Sequence, residues 1–242
     1  MFFGNMSNPG RHPAIRLPIF QAAREWLAPD CALCGARCER DVICADCEAA
    51  LPWLRGACDM CAAPIMHGVT CGDCLRRRPP IDASIAVFEY RYPLDRLVLR
   101  FKSSGDFALG RWLARHLAER VRSAPRADCI VAAPLAQARL RGRGFNQSME
   151  IARRIARRLR LPLIAGGVEK VRDTPAQQGL SRRERRANLR GAFRCTRSFA
   201  GMHVALVDDV VTTGATAEAI ARELRRAGAA RVCVWALART PR

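Results

Sequence analysis

Two adjacent carboxylates, Asp208 and Asp209, stand between an apolar run and a short loop of small and hydroxyl residues. The apolar run, residues 204–207, is typical of a parallel strand that is buried on both faces. After the loop, the pattern predicts a helix over 217–227, closed by Gly228. Ligands of parallel sheets bind beyond the carboxyl ends of the strands, so we expect a binding site at this junction. The loop consists of Thr212, Thr213, Gly214, Ala215 and Thr216.

The residue types at this junction suit a phosphorylated sugar. Backbone N–H groups and the macrodipole at a helix N-terminus favour an anion. Gly214 and Ala215 allow a phosphate to approach the backbone closely, and the threonine hydroxyls add donors. Asp208 and Asp209 only accept hydrogen bonds, which suits the neighbouring hydroxyls of a ribose. Their like charges are costly side by side unless a ligand, a metal or a cation satisfies them.

The segment 203–216 resembles the phosphoribosyl-pyrophosphate (PRPP) signature of the type I phosphoribosyltransferases. That signature is an apolar strand, two acidic residues, two variable residues and a Thr/Gly-rich phosphate loop, and every position of it is filled here. The resemblance implies that PRPP binds together with Mg²⁺, with its 5-phosphate in the loop 212–216 and its ribose hydroxyls on Asp208 and Asp209. It also implies transfer of a phosphoribosyl group with release of pyrophosphate.

Two basic segments are expected to reach the same end of the sheet. One is 134–147, which carries Arg139, Arg141 and Arg143 in a glycine-containing loop, and the other is 170–194, which is too polar for a core and is predicted to be a loop or an exposed helix. We expect arginines of these segments, with Arg139 and Arg143 as first candidates, to hold the pyrophosphate and stabilise its developing charge. The alternative for any single arginine is a solvated basic surface.

Eight of the twelve cysteines form four Cys-x-x-Cys pairs at regular spacing. Each pair can bind a metal from a tight turn, and two pairs complete a tetrahedral zinc site, so eight ligands predict two zinc ions. Disulfides are the alternative, but the spacing favours metal. Four thiolates leave no open position, so both ions are predicted to be structural. The ligands are Cys31, Cys34, Cys44, Cys47, Cys58, Cys61, Cys71 and Cys74.

The order of the pairs leaves two arrangements open. In the sequential arrangement, the pairs at 31/34 and 44/47 share one ion and the pairs at 58/61 and 71/74 share the other. In the interleaved arrangement, 31/34 combines with 58/61. Cys38 lies between two pairs and is predicted to be a free thiol rather than a ligand.

Strand and helix patterns alternate in the second half of the chain, which predicts an α/β fold with a mostly parallel sheet and helices on both faces. We divide the chain into an N-terminal extension with a short amphipathic helix (1–30), a double zinc ribbon (31–75) and a phosphoribosyltransferase-like domain (76–242). The predicted strands are 84–90, 128–133, 161–164, 203–207 and 231–237, and the predicted helices are 106–121, 146–159 and 217–227. Five residues follow Leu237, so we expect no C-terminal hood that would select a nucleobase.

Charge is distributed unevenly along the chain. The formal net charge is +19, with −2 through Cys74 and +21 beyond it, and 39 of the 41 basic residues are arginine. A positive field of this kind suits polyanions, either a pyrophosphate or a nucleic acid. No apolar run approaches the ~20 residues that span a bilayer, and no export signal is evident, so we expect a cytoplasmic protein without a transmembrane segment.

Taken together, these features resemble one family, the ComF-like (competence protein F) proteins. The resemblance rests on the double ribbon, on residues 143–147 and 172–193, and on the PRPP loop. It implies a role in the uptake or processing of transforming DNA, with single-stranded DNA and other DNA-processing proteins as partners. The alternatives to an enzyme are a non-catalytic nucleic-acid binder and an adaptor that uses the ribbon to bind proteins.

Overall fold

The computed structural model describes residues 29–38, 41–172, 184 and 188–241. The amphipathic helix predicted between Ile15 and Leu27 and most of the segment 170–194 lie outside the described residues. Within them, every helix is too short or too polar to span a bilayer. The strands are β1 (Ala83–Glu89), β2 (Cys129–Ala132), β3 (Val168–Lys170), β4 (Phe193–Cys195), β5 (His203–Val211) and β6 (Arg231–Arg239). The helices are α1 (Ala45–Ala49), α2 (Gly72–Arg76), α3 (Leu94–Ser104), α4 (Phe107–Val121), α5 (Gln137–Arg143), α6 (Gln147–Leu159) and α7 (Ala215–Arg226).

Four strands form a fully parallel sheet in the order β1-β6-β5-β2, and β3 and β4 form a separate antiparallel pair. Neighbouring residues of the central strands point to opposite faces, as the pleat requires. Ala205 and Val207 of β5 pack with α3, α4 and α6. Val204 and Leu206 pack with α7 and the β3–β4 pair. The predicted parallel sheet with helices on both faces is confirmed.

The two cysteine-rich ribbons lie against opposite faces of this sheet. Cys31 and Ile43 of the first ribbon join the core that contains α4. Leu54 and Ala62, at the start of the second ribbon, join the core that contains α7. Between them the chain crosses the edge strand β1, where the Leu54 N–H donates to the Val87 carbonyl at 2.9 Å.

Capping side chains explain why two predicted helices begin where they do. The Asp106 carboxylate accepts from the Leu109 N–H at 3.0 Å at the start of α4. The Asn146 side chain accepts from the Met149 N–H at 3.3 Å at the start of α6. Both are N-cap bonds to an otherwise unpaired amide of the first turn. The helices predicted from these residues are confirmed.

Three local predictions were wrong. The strand predicted over 161–164 is a single bridge between Leu163 and Ile130, because Pro162 has no N–H to extend the ladder and the chain turns at Gly166, where φ is +69°. The loop predicted over 134–147 contains the helix α5. The strand predicted to stop at residue 207 continues through the acidic pair to residue 211, because β6 extends to residue 239 beside it.

Candidate functional site

The acidic pair lies in the C-terminal half of β5, and each carboxylate accepts hydrogen bonds or pairs with a cation. Asp208 Oδ1 accepts from the Ser148 hydroxyl at 3.1 Å and from the Asp209 N–H at 2.9 Å. Asp209 Oδ2 lies 2.8 Å from Lys102 Nζ, and Asp209 Oδ1 accepts from the Val210 N–H at 2.6 Å. The cation that two adjacent acids require is therefore supplied by the protein itself, from the end of α3.

The environment of Asp208 makes it a titrating group near neutral pH. Burial raises its pKa to about 7, and the neighbouring charge of Asp209 acts in the same direction. The Asp209 N–H, the Ser148 hydroxyl and the Lys102 ammonium oppose this rise. Asp208 is thus poised to change charge when a ligand or a cation enters.

Gly214 is the N-cap residue between the end of β5 and the first residue of α7. Gly214 has φ +83°, a left-handed conformation that glycine adopts without strain, and it forms the N-cap with no side-chain capping bond. The Ala215 N–H points at the Thr213 hydroxyl at 3.4 Å. Since the first amides of a helix have no intrahelical acceptor, this turn presents N–H groups and the positive end of the macrodipole. These are features of an anion site.

A cavity of about 310 Å³ opens over the acidic pair at the carboxyl end of the sheet. It brings together six of the residues that the sequence nominated: Asp208, Asp209, Arg139, Arg143, Thr212 and Thr216. Thr213 and Gly214 instead line a second cavity of about 160 Å³ on the side of the second ribbon. Ala215 is buried at 3% exposure. The loop therefore divides the two cavities, with its threonines on both sides.

Four basic side chains line the larger cavity, and two of them are the only lysines of the chain. Arg139 and Arg143 project from α5, Lys102 from α3 and Lys170 from β3. The remaining 39 basic residues are arginine. An ammonium is a compact point charge with three donors, whereas a guanidinium is a planar fork, so the two are not equivalent in a crowded site.

Sequence reasoning missed the functional position of two residues here. No role was predicted from the sequence for either Lys102 or Ser148. The rarity of lysine was the available signal for Lys102. For Ser148 there was none, because its contact with Asp208 joins residues that are sixty positions apart.

The eight cysteines of the four pairs form two clusters that match the sequential arrangement, and the interleaved arrangement is wrong. We call Cys31, Cys34, Cys44 and Cys47 the first cluster, and Cys58, Cys61, Cys71 and Cys74 the second cluster; within each, all sulfur atoms lie within 4.8 Å of one another. The pair Cys34 and Cys44 and the equivalent pair Cys61 and Cys71 each have sulfurs 3.7 Å apart. Zn–S bonds of about 2.3 Å in a tetrahedron place sulfurs roughly 3.8 Å apart, so both clusters fit zinc.

Backbone amides orient the ligands in the same way in both clusters. The Cys44 N–H donates to Cys31 Sγ at 3.4 Å, and the Cys71 N–H donates to Cys58 Sγ at 3.3 Å. Such bonds stabilise thiolates and fix their direction towards a metal. Cys38 is buried near the first cluster but is not part of it. The sites are saturated by sulfur, which is the pattern of structural zinc.

The fold and these sites define an α/β domain of the phosphoribosyltransferase type that follows a double zinc ribbon. A model of the double zinc ribbon domain matches residues 24–75, and a model of the phosphoribosyl transferase domain matches residues 146–242. Competence protein F of Haemophilus influenzae is 38% identical over 174 residues, which cover 68% of this chain and 76% of that protein. The chain therefore belongs to the competence protein F family.

The chain is also similar to other relatives and to solved structures. DNA utilization protein YhgH of Escherichia coli (strain K12) is 40% identical over 172 residues, 69% of this chain and 76% of that protein. Competence protein ComFC of Streptococcus pneumoniae is 28% identical over 159 residues, 64% of this chain and 67% of that protein. A purine phosphoribosyltransferase from Pyrococcus horikoshii is 19% identical, with a TM-score of 0.36 over 53% of this chain and 70% of that chain.

Proposed function

We propose that this protein binds PRPP with Mg²⁺ and transfers the phosphoribosyl group with release of pyrophosphate. The observation that supports the proposal is the cavity over β5, in which an acidic pair, four basic side chains and Thr212 and Thr216 on either side of the start of α7 converge. Its polar groups match the parts of PRPP: acceptors for a diol, N–H groups for a phosphate and cations for a diphosphate. Bound Mg²⁺ would neutralise part of the charge on the diphosphate.

In this proposal the loop 212–216 holds the 5-phosphate and the acidic pair holds the ribose hydroxyls. Asp208 must lose its proton to accept two hydrogen bonds from the sugar, so its pKa of about 7 makes binding stronger as pH rises through neutrality. Lys102, which pairs with Asp209 and lines the same cavity, supplies a positive charge for an incoming phosphate oxygen. Arg139, Arg143 and the two lysines stabilise the negative charge that develops on the leaving pyrophosphate.

Titration calorimetry of PRPP with MgCl₂ tests the binding half of the proposal. We expect Asp208→Asn together with Asp209→Asn to weaken binding by at least about tenfold, since a charge-assisted hydrogen bond contributes roughly 1.5–3 kcal/mol. Asp95→Asn on α3, a half-buried acid outside the lining of the cavity, is the matched control and leaves the affinity unchanged. Absence of binding by the wild type, or equal binding by the double variant, contradicts the proposal.

Three arginines of α5 allow a second comparison of variants inside and outside the cavity. Arg139 and Arg143 line the cavity and Arg141 of the same helix does not. We expect Arg139→Ala and Arg143→Ala to weaken PRPP binding by about tenfold each, and Arg141→Ala to have little effect, because only the first two reach the diphosphate. If all three variants lose affinity equally, a general positive field explains the result and a specific site does not.

Turnover is tested by pyrophosphate release across a panel of bases, amines and oligonucleotides. Release that depends on both an acceptor and the acidic pair supports transfer. Release without any acceptor indicates hydrolysis of PRPP. Binding without release from any member of the panel leaves PRPP as a ligand and removes the enzymatic part of the proposal.

A second candidate function, binding of single-stranded DNA, is favoured by a basic groove between α4 and α6. Five arginines line it, opposed by Asp41: Arg111, Arg115, Arg154, Arg157 and Arg158. The names of the relatives refer to competence and DNA utilization. Fluorescence anisotropy of a labelled oligonucleotide tests this function. Binding should weaken steeply as salt rises and should fall in an Arg111→Ala/Arg157→Ala variant. Failure to bind at low salt rejects it.

A further inference from the structure

A single buried guanidinium connects the second zinc cluster to the phosphate loop. Arg239, the last residue of β6, has 0% exposure. Its Nε donates to the carbonyl of Cys61 at 2.9 Å, and Cys61 is a member of the second cluster. Its Nη1 donates to the carbonyl of Val211 at 2.9 Å and to the carbonyl of Thr212. One side chain thus holds a metal-ligand residue and the first residue of the loop.

These bonds set the direction of the loop amides. A trans peptide places its N–H opposite its carbonyl. Because Arg239 draws the carbonyls of Val211 and Thr212 towards the second ribbon, the N–H groups of Thr212 and Thr213 are turned away from it. A charged donor also forms stronger bonds to carbonyls than a neutral one. The Val211 carbonyl also accepts from the Thr240 N–H at 3.1 Å, so the guanidinium reinforces the direction of the first loop peptide and is the donor that holds the second, at Thr212.

The Cys58–Cys61 turn that carries the Cys61 carbonyl is itself anchored. Ser84 of β1 donates from its hydroxyl to the Met60 carbonyl at 2.7 Å and from its N–H to the Asp59 carbonyl at 2.7 Å. A zinc ion held by the second cluster would fix the other side of this turn through the sulfurs of Cys58 and Cys61. Loss of the metal would leave the Cys61 carbonyl without a fixed position, and Arg239 would lose one of its acceptors.

The first cluster has a different connection. Its ribbon packs in the core on the opposite face of the sheet, and the side chain of Asp41 pairs with Arg115 of α4. Neither Asp41 nor Arg115 lines the cavity over the acidic pair. The two clusters therefore provide an internal comparison.

We propose that Arg239 is a positioning residue through which the second zinc cluster, and not the first, holds the phosphate loop in its anion-binding conformation. This inference rests on the proposed function, because the ligand of the loop is taken to be the 5-phosphate of PRPP. It assigns the second ribbon a role in substrate binding in addition to its role in stability.

The test uses full-length protein and three variants: Arg239→Lys, Cys61→Ser in the second cluster and Cys34→Ser at the equivalent position of the first cluster. Zinc content is measured by mass spectrometry and PRPP·Mg²⁺ affinity by calorimetry. We expect Arg239→Lys to retain two zinc ions and to bind PRPP at least about tenfold more weakly, because a lysine cannot reproduce the fork of bonds. We expect Cys61→Ser to lose one zinc ion with a similar loss of affinity. Cys34→Ser should lose one zinc ion and remain within about twofold of the wild type.

Hydrogen exchange of the ligand-free protein supplies a readout that does not depend on PRPP. Faster exchange of the amides of 212–216 in Arg239→Lys and Cys61→Ser, with unchanged exchange in Cys34→Ser, supports the inference. Equal effects of both cysteine variants, or wild-type exchange and affinity in Arg239→Lys, overturn it. If the wild type does not bind PRPP, the proposed function fails while the exchange experiment still decides the coupling. Arg239→Gln, which keeps an amide donor, replaces Arg239→Lys if that variant does not fold.

Discussion

The two four-cysteine clusters share the same internal geometry but contact different parts of the protein. Each has pairs that begin thirteen residues apart, a sulfur pair at 3.7 Å and an amide bond to its first thiolate. The first cluster is tied to α4 through the partly exposed pair Asp41 and Arg115, whereas the carbonyl of Cys61 in the second contacts the buried Arg239. The same local motif therefore contacts different parts of the protein, and in our proposal only the second cluster also orients the loop 212–216.

Removal of zinc should give the largest effect, because each structural site contributes on the order of 10 kcal/mol of apparent binding free energy. We expect two zinc ions per chain, and treatment with a strong chelator should lower the melting temperature sharply and expose the ribbon cysteines to thiol reagents. The measurements are metal analysis, calorimetric melting and thiol counting. A stoichiometry of one, or a melting temperature unaffected by chelation, would show that the two clusters are not equivalent metal sites.

Arg239→Met and Arg115→Met compare the two connections directly. Loss of Arg239 removes the charged donor of the Cys61 and Thr212 carbonyls, while the Val211 carbonyl keeps the Thr240 N–H, so we expect a destabilisation of about 3 kcal/mol. Loss of Arg115 removes a partly exposed ion pair, so we expect less than about 1 kcal/mol. Urea unfolding followed by circular dichroism measures both. If the two substitutions lower the free energy of unfolding equally, the two ribbons do not differ in how they are connected to the rest of the protein.

A smaller effect concerns the pH dependence of stability, since the pKa values of Asp208 and His116 are shifted by burial. Burial, followed by the charge of Asp209, raises the pKa of Asp208 to about 7. The folded state therefore holds a proton that the unfolded state has lost above its ordinary value of 3.8, and stability falls as pH rises towards 7. We expect Asp208→Asn to raise the melting temperature above pH 7 and to remove this fall. A parallel loss of stability in the variant would contradict the assignment.

His116, which packs against Trp53 and lies 3.5 Å from Glu48, is the counterpart on the side of the first ribbon. Burial, with a further contribution from the charge of Arg115, lowers its pKa to about 4. Between pH 4 and 6.5 the unfolded state holds a proton on this imidazole that the folded state has lost. The free energy of unfolding therefore rises as pH rises from about 4 to 6.5, and this group has no further effect on it above that range. Between pH 7 and 8, His116→Gln should therefore show the same pH dependence as the wild type.

The smallest effect is expected for Cys38→Ala. Cys38 is buried beside the first cluster but lies outside it. The substitution should leave two zinc ions bound and cost about 1 kcal/mol, because it removes one buried sulfur and its packing. Metal analysis and urea unfolding measure both quantities. Loss of a zinc ion would make Cys38 a ligand and would break the symmetry between the clusters.

Where local chemistry sets the outcome, the sequence was sufficient to predict it. Asp106 and Asn146 are N-caps because their short side chains reach an amide three residues on, which depends on nothing distant. The ribbon ligands are also recognisable from local spacing, although the choice between sequential and interleaved pairing required the three-dimensional structure. Helix α3 was missed although Leu94, Leu97, Val98 and Phe101 have helical spacing, so that signal was present and unused.

The sequence by itself determined the chemistry of this protein: eight thiolates in pairs, two adjacent acids after an apolar strand, and a small-residue loop before a helix. Only the tertiary structure decided which distant groups complete that chemistry. Lys102 pairs with Asp209 across more than a hundred residues, and Arg239 joins Cys61 to Thr212. The physical reason is that spacing along the chain specifies ligand geometry and hydrogen bonds within a turn, whereas the order of strands in the sheet and the packing of helices on it specify which buried charges meet.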